Sequence, residues 1–456
     1  MLSLKSRRII YGLFIVVFVI VAPLLVLYSA GWRYNWTKHT VVKIGSLSVK
    51  PFPRDAKVFL DDVEQLATRT DGILRINNLF PGQYTVKLVR DGYSSWSKPL
   101  TVWSSTNTFV DAAVLWKQTT PTLINDATIV TPLTSPNGKQ VAGLAKGDVW
   151  LINLLNASVQ PLTTTHQVRQ VLGWSSDSTT LLVKLANGQA ALLTTQITEA
   201  PVLLSSIFAG SVTAANWSLA DPYILYVQSG DVWSQLNTVT KQSKQLLRLP
   251  STANSGYGRQ IAVSQNTVYA VRTTATGGTF IERWHLQEAG PVKGPERVWQ
   301  LPDRGDYQFF ASPNGTIILL AADTKKIVVT DPDFTQTLLA GDAKGYQWSA
   351  DNQRLLIYTD FEIGFYYPTL GKTELVTRYG TTIQRVALFP KYNYLAVLTN
   401  NELSTVELDD RDHRTTTSLV TGAPLADFWL AADGDTALLV GTITDQSGAW
   451  QLPLQD

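Results

Sequence analysis

The chain has 456 residues, enough for more than one domain, and its 45% hydrophobic share is ample for a core. A net charge of +2 argues against a nucleic-acid partner, which calls for a concentrated basic face. Cysteine is absent, which excludes disulfides, thiol chemistry and cysteine-ligated metals, and the polar but weakly charged composition (16% charged) suits a surface outside the cytoplasm.

Residues 1–8 are polar and basic, with Lys5, Arg7 and Arg8. No residue from Ile9 to Trp32 is charged, and the apolar run Ile9 to Tyr28 is long enough to cross a bilayer as a helix. Tyr28, Trp32, Tyr34 and Trp36 are placed for an aromatic belt at the far interface. The basic end predicts a cytoplasmic N-terminus (1–8), a transmembrane helix over 9–31, and the bulk of the chain outside the cell membrane. Arg33, Lys38 and Lys43 on the far side weaken that charge asymmetry. A cleaved signal peptide is the rival, but its apolar region is shorter and small residues precede its cut. Here Tyr28 stands two residues ahead of Ala30, so an uncleaved anchor is favoured. A buried core helix is the plain alternative.

Residues 44–115 read as a separate β unit. Gly45 to Val49, Lys57 to Leu60, Gly72 to Ile76, Leu79 to Val89, Leu100 to Val102 and Val110 to Leu115 have strand composition, with Asp61-Asp62 as a turn. The turn Pro53-Arg54-Asp55-Ala56, the run Pro81-Gly82-Gln83-Tyr84 and the pair Gly92-Tyr93 resemble the pattern of the PEGA domain. The chain departs from it at Asp61-Asp62 and at Thr70-Asp71-Gly72, both in turns. The resemblance implies a small antiparallel β-sandwich on a bacterial or archaeal surface protein. It also implies a module for envelope attachment or spacing, without catalysis. Trp116 to Thr120 is a short link with no Gly-Ser run, so the sandwich is expected to sit close to the domain C-terminal to it.

From 120 to 456 one phrase recurs: an aromatic, a serine, an Asp/Asn-rich turn and a buried run. Examples are Trp174-Ser175-Ser176-Asp177, Trp217-Ser218-Leu219-Ala220-Asp221 and Trp348-Ser349-Ala350-Asp351. Plain turns stand at Ser135-Pro136-Asn137-Gly138 and Ser312-Pro313-Asn314-Gly315, with weaker copies at Ser264, Phe389 and Leu430. The spacing averages about 42 residues, the period of a propeller blade. Pro presets one turn angle, Asn-Gly and Asp-Gly accept positive φ, and the residues after the turn suit a sheet interior. The phrase resembles the blade repeat of TolB-like and WD40-like β-propellers. The resemblance is specific for fold and weak for function.

The expected architecture is therefore all-β after one helix: an N-terminal transmembrane helix, a PEGA-type β-sandwich over 44–115, and a β-propeller of about eight four-stranded blades over 120–456. The last blade has three strands of its own, so Thr120 to Ile124 is expected to pair onto it and close the ring.

No catalytic, metal-ligating or cofactor-binding residue is predicted, and no cofactor. His39, His166, His285 and His413 are far apart in sequence and read as loop residues. Asp409-Asp410-Arg411-Asp412-His413-Arg414 reads as a solvated loop, because its arginines compete for the carboxylates. Ser95-Trp96-Ser97-Lys98 matches a Ser-x-x-Lys spacing without the companion motifs. Trp174, Trp217 and Trp348 are expected between blades; Trp96 and Trp103 are expected in an inter-domain core or, alternatively, facing solvent or a saccharide.

The expected function is binding or scaffolding at the outer face of the cytoplasmic membrane, with an envelope protein or cell-wall glycan as partner. The alternative is a propeller enzyme, glycan-active or quinone-dependent, with its site at the channel mouth. Loops joining the second to the third strand of each blade, and one blade to the next, should crowd one face. There Asp303, Arg304, Asp306, Tyr307, Tyr346, Asp360, Phe361 and Glu362 form the candidate recognition surface.

Overall fold

Leu4–Ser29 forms one continuous helix in the computed structural model. The structure describes residues 4–456 apart from 66–67, 127, 157, 166, 197–200, 251–255, 288–291, 314 and 401. Of the expected loop and turn residues, His166 and Asn314 therefore lie outside the described residues. The apolar stretch Ile10–Ser29 spans 20 residues, about 30 Å at 1.5 Å per residue, which matches a bilayer core. None of it is buried against the described residues, so it does not pack as a core helix.

The chain then forms a short hairpin, Trp32–Asn35 with Thr40–Lys43, and eight strands in two sheets. One sheet runs Asn107–Val114, Gly45–Phe52, Ile73–Leu79, Thr68–Thr70; the other runs Val63–Glu64, Lys57–Leu60, Gly82–Val89, Trp96–Val102. Alternate side chains of both, among them Leu47, Val58, Leu74, Val86, Leu88 and Leu100, close on one core. The expected sandwich is present but not wholly antiparallel, because Asn107–Val114 lies parallel to Gly45–Phe52. The strand before it, Trp96–Val102, belongs to the opposite sheet, and the crossing between sheets sets this direction.

Beyond residue 120 the described residues form eight four-stranded sheets, each a simple antiparallel meander. We number them I (130–161), II (168–203), III (212–248), IV (257–300), V (307–342), VI (345–378), VII (383–421) and VIII (425–453). Each consecutive pair shares one hydrophobic core. Sheets VIII and I share another, in which Trp429 and Leu438 meet Val141 and Ile152. The ring is therefore closed, and the fold is a β-propeller. Sheet VIII takes its fourth strand from the start of the ring: Thr122–Asn125 pairs antiparallel with Gln446–Pro453, as expected for closure. Gly448 is required there, since a Cβ would overlap the Asn125 carbonyl oxygen.

The recurring turn has a local cause. Ser175 Oγ donates to Asp177 at 2.5 Å and accepts the Thr180 N–H at 2.9 Å. Ser349 repeats this with Asp351 and Arg354, and Ser135 with Asn137 and Gln140. Trp174 packs between sheets I and II and donates its indole N–H to the Leu133 carbonyl at 2.9 Å. Trp217 and Trp348 pack against the II–III and V–VI cores.

Sandwich and ring meet over a continuous junction. Trp116, 1% exposed, lies in the VII–VIII core with Phe389, Tyr392 and Tyr394 at ring separations of 4.6, 5.9 and 5.5 Å. The Lys117 N–H bonds the Leu454 carbonyl at 3.0 Å, and Gln455 Nε2 bonds the Leu115 carbonyl at 2.8 Å. Lys98 is wholly buried: its ammonium reaches Glu407 at 3.4 Å and the Asp409 carbonyl at 2.8 Å. Arg411 donates to the Phe109 carbonyl at 2.8 Å, and the Asp412 carboxylate accepts from Thr101 at 3.3 Å.

These contacts correct three expectations. The 409–414 segment is a clamp on the sandwich, not a freely solvated loop, because its charges find partners far away in sequence. Neither tryptophan takes the favoured inter-domain place: Trp96 is buried in the sandwich core, and Trp103, 67% exposed, follows the solvent-facing alternative. His285 lies in a strand, Thr279–His285, not in a loop.

Candidate functional site

The first strand of every sheet lines the centre of the ring, and these strands do not pair with one another. Their free edges need other partners for their backbone groups. Side chains supply several. The Asn216 amide bonds both the N–H and the carbonyl of Ile261, at 3.1 and 2.9 Å. Gln260 accepts the Phe309 N–H at 3.0 Å, and Gln347 accepts that of Leu388 at 2.8 Å. Arg385 bridges to Asp427 at 3.1 Å and lies 5.1 Å from the centre of the Trp429 ring. Burial pushes the Asp427 carboxyl above the usual carboxylate range, against the pull of Arg385.

Where the first strands of sheets II to V begin, the channel opens into a cavity of about 380 Å³. Its wall carries Gln170, Lys184, Arg259, Gln260, Asp306 and Gln308, with apolar contributions from Leu172, Val212 and Ala214. Amides, two cations and one carboxylate around such a cavity can bind a polar partner by hydrogen bonds and charge. Among the described residues no three His, Asp or Glu side chains gather as a metal site.

The residues singled out from the sequence lie along this same face but form two groups. Asp303 pairs with Lys326 at 3.3 Å, and Lys326 also holds Asp342 at 2.6 Å. Arg304 is exposed. The Asp306 N–H bonds the Asp323 carboxylate at 3.2 Å, and Asp306 lines the cavity. In the second group, Asp360 is held by Lys325 and by Lys344 at 3.3 Å, and these two ammonium groups keep its carboxyl below the usual range. Phe361 is 51% exposed, and Glu362 pairs with Arg378 at 2.7 Å.

Two tyrosines turn mainly inward, although Tyr307 also lines the cavity and Tyr346 is only half-buried. Tyr307 is 2% exposed and lies in the core between sheets IV and V, where burial raises its phenol pKa. Tyr346 packs beside Phe310 against the core between V and VI, and burial likewise raises its pKa.

Sequence reasoning missed Lys184, Arg259, Lys325, Lys326 and Lys344. Lys325, Lys326 and Lys344 stand in or beside the loops that define the face, so the loop rule could have found them. Lys184 and Arg259 are strand residues that reach the cavity from the channel wall, and no loop signal marks them.

No family model matches the chain, and no curated protein matches it. Among solved structures it is similar to the Dos1 propeller, at 11% identity over 74% of this chain and 94% of that one, with a TM-score of 0.46. It is similar to a chain of the mitotic checkpoint complex at 13% identity over 73% of this chain and 93% of that one, with a TM-score of 0.41. The same holds for the β-propeller domain of Cps50 (Swd1) from Myceliophteria thermophila: 13% identity, 73% and 99% coverage, and a TM-score of 0.41.

Proposed function

We propose that this chain is a single-pass membrane-anchored scaffold whose propeller presents a recognition face outside the cytoplasm. The N-terminal helix spans the cell membrane with residues 1–8 inside. The sandwich over 44–115, which resembles a PEGA domain, serves as an envelope-attachment module or spacer. The ring over 120–456 has one blade per sheet, eight in all, and its cavity face takes an envelope protein or a cell-wall glycan.

The observation that carries this reading is the helix itself. Its apolar surface has no partner among the described residues, and Leu13, Phe14 and Phe18 are each more than 60% exposed. So large an apolar surface calls for a non-aqueous environment. The folded mass comes after it, separated by only a hairpin.

Two measurements test the proposal. Protease added to intact spheroplasts should digest the sandwich and ring; full protection would refute the topology. Photocrosslinking in cells, from a probe beside the cavity, should yield a discrete adduct. Replacing Arg259, Arg304 and Phe361 together with Ala should lower its yield about tenfold, in line with loss of about 1.4 kcal/mol of contact energy. An unchanged yield would remove the cavity face from recognition.

A further inference from the structure

We propose that the hairpin Trp32–Lys43 is a lipid-headgroup contact, a rigid foot that the folded part of the chain sets on the membrane surface. This rests on the reading of the helix as a bilayer span.

Among the described residues the hairpin stands alone as a two-stranded sheet, joined to no other strand. Such a hairpin is marginal in water without an apolar partner for one face. Trp36 is 79% exposed, Val41 56% and Tyr34 41%, and beyond the hairpin itself the described chain leaves their outer faces uncovered. An indole as exposed as Trp36 is unusual at an ordinary solvated turn, and an indole beside a phenol is the composition favoured at a bilayer interface.

Position supplies the partner. The helix ends at Ser29 and the hairpin begins at Trp32, so the hairpin lies where a spanning helix leaves the hydrocarbon. The connection is stiff. Arg33 Nη1 donates to the Tyr28 carbonyl at 2.6 Å, satisfying an end carbonyl of the helix, and the guanidinium sits 3.4 Å over the Tyr28 ring. The Ile44 N–H returns to the Gly31 carbonyl at 3.0 Å. Within the hairpin, Asn35 Oδ1 accepts the N–H groups of Thr37 and Lys38, and Tyr34 and Trp36 meet edge-on at 4.7 Å. The sandwich braces the base: Ser105 N–H bonds the Ile44 carbonyl at 3.1 Å, and Ser104 Oγ the Lys43 carbonyl at 3.2 Å.

Charge selects the kind of lipid. Arg33, Lys38 and Lys43 lie on or next to the hairpin, and no Asp or Glu occurs among residues 1–54. An all-basic aromatic foot fits anionic headgroups, with Lys and Arg reaching phosphate while the rings sit at the glycerol level.

The absence of native cysteine allows a single reporter. Thr37→Cys in the full chain, labelled with an environment-sensitive dye, is reconstituted into phosphatidylcholine–phosphatidylglycerol vesicles containing a lipid nitroxide placed near the headgroup. Asn187→Cys, on the ring, is the control. We expect the dye at 37 to lose at least half its emission and the dye at 187 less than a tenth. Adding Trp36→Gln to the Thr37→Cys chain should reduce the quenching at least twofold. Weak quenching at 37 in protein that floats with the vesicles would overturn the headgroup contact and leave the span standing. Protein that fails to float with vesicles would overturn the span itself.

Discussion

Replacing Lys98 with Met removes the positive member of a buried pair whose partner comes from another unit of the fold. Lys98 is 0% exposed and Glu407 2%, so neither can turn to water. At 3.4 Å and an effective dielectric near 20, their attraction is about 5 kcal/mol. Desolvation of both groups offsets much of it in the parent chain, but in the variant the Glu407 carboxylate stays buried without its cation. The expected loss is roughly 3–5 kcal/mol at pH 8.

Burial already pushes the Glu407 carboxyl above its ordinary value, and Lys98 is the chief group holding it down. Without Lys98 the folded-state pKa rises further while the unfolded value stays near 4.3. The folded variant then binds more protons than the unfolded chain between those values, so its stability falls as pH rises through the folded pKa. The deficit should be small near pH 5 and full at pH 8. The double variant Lys98→Met with Glu407→Met should recover most of the loss, since it buries no unpaired charge. Guanidinium titration of the detergent-solubilised chain, followed by tryptophan emission at both pH values, reads all three. A loss below about 1 kcal/mol at pH 8, or one that does not change with pH, would refute this reasoning.

Gly448→Val should place side-chain atoms against the Asn125 carbonyl and detach the closing strand; a thermal midpoint within a degree or two of the parent would show that the pairing carries no weight. Trp116→Ala empties a core between sandwich and ring and should cost about 3–5 kcal/mol, with faster cleavage near residue 118 under limited proteolysis; unaltered cleavage would count against the junction. Ser349→Ala removes one donated and one accepted hydrogen bond and should cost about 1–2 kcal/mol by denaturant titration. An equal effect from Ser349→Thr would instead mean that space, not the hydroxyl, matters at that turn.

The propeller is legible in the sequence because its specifying interactions are short in range. Ser175 bonds Asp177 two residues on and Thr180 five residues on, so composition and spacing expose the turn directly. The copy at Ser264 looks weak in sequence because its hairpin closes on Gln265 and Asn266 alone, with Gln265 at positive φ, and needs no serine–aspartate bond. The junction is not legible. Lys98 and Glu407 are 309 residues apart, and nothing local shows that Asp409, Arg411 and Asp412 have partners on the sandwich. Tyr307 reads as a loop residue, yet it opens the strand Tyr307–Ala311, whose alternation turns it into the core and leaves Gln308 outward. Topology alone places the loops on one face, but the cavity residues Lys184 and Arg259 come from strand positions that depend on how far each strand extends into the channel.

The strand that closes the ring carries a consequence for biosynthesis. Thr122–Asn125 leaves the ribosome long before its partner Gln446–Pro453 is made. Roughly 320 residues separate them, which at about 5–20 residues per second leaves the first strand waiting for roughly 15–65 s. Throughout that interval sheet VIII is absent or incomplete, so sheet I lacks that neighbour and Ile129, Val141 and Ile152 lack their full cover. The nascent chain is thus most vulnerable to a protease or to another nascent chain just before sheet VIII emerges, and any factor that shields it would have to hold the early blades and release them only then.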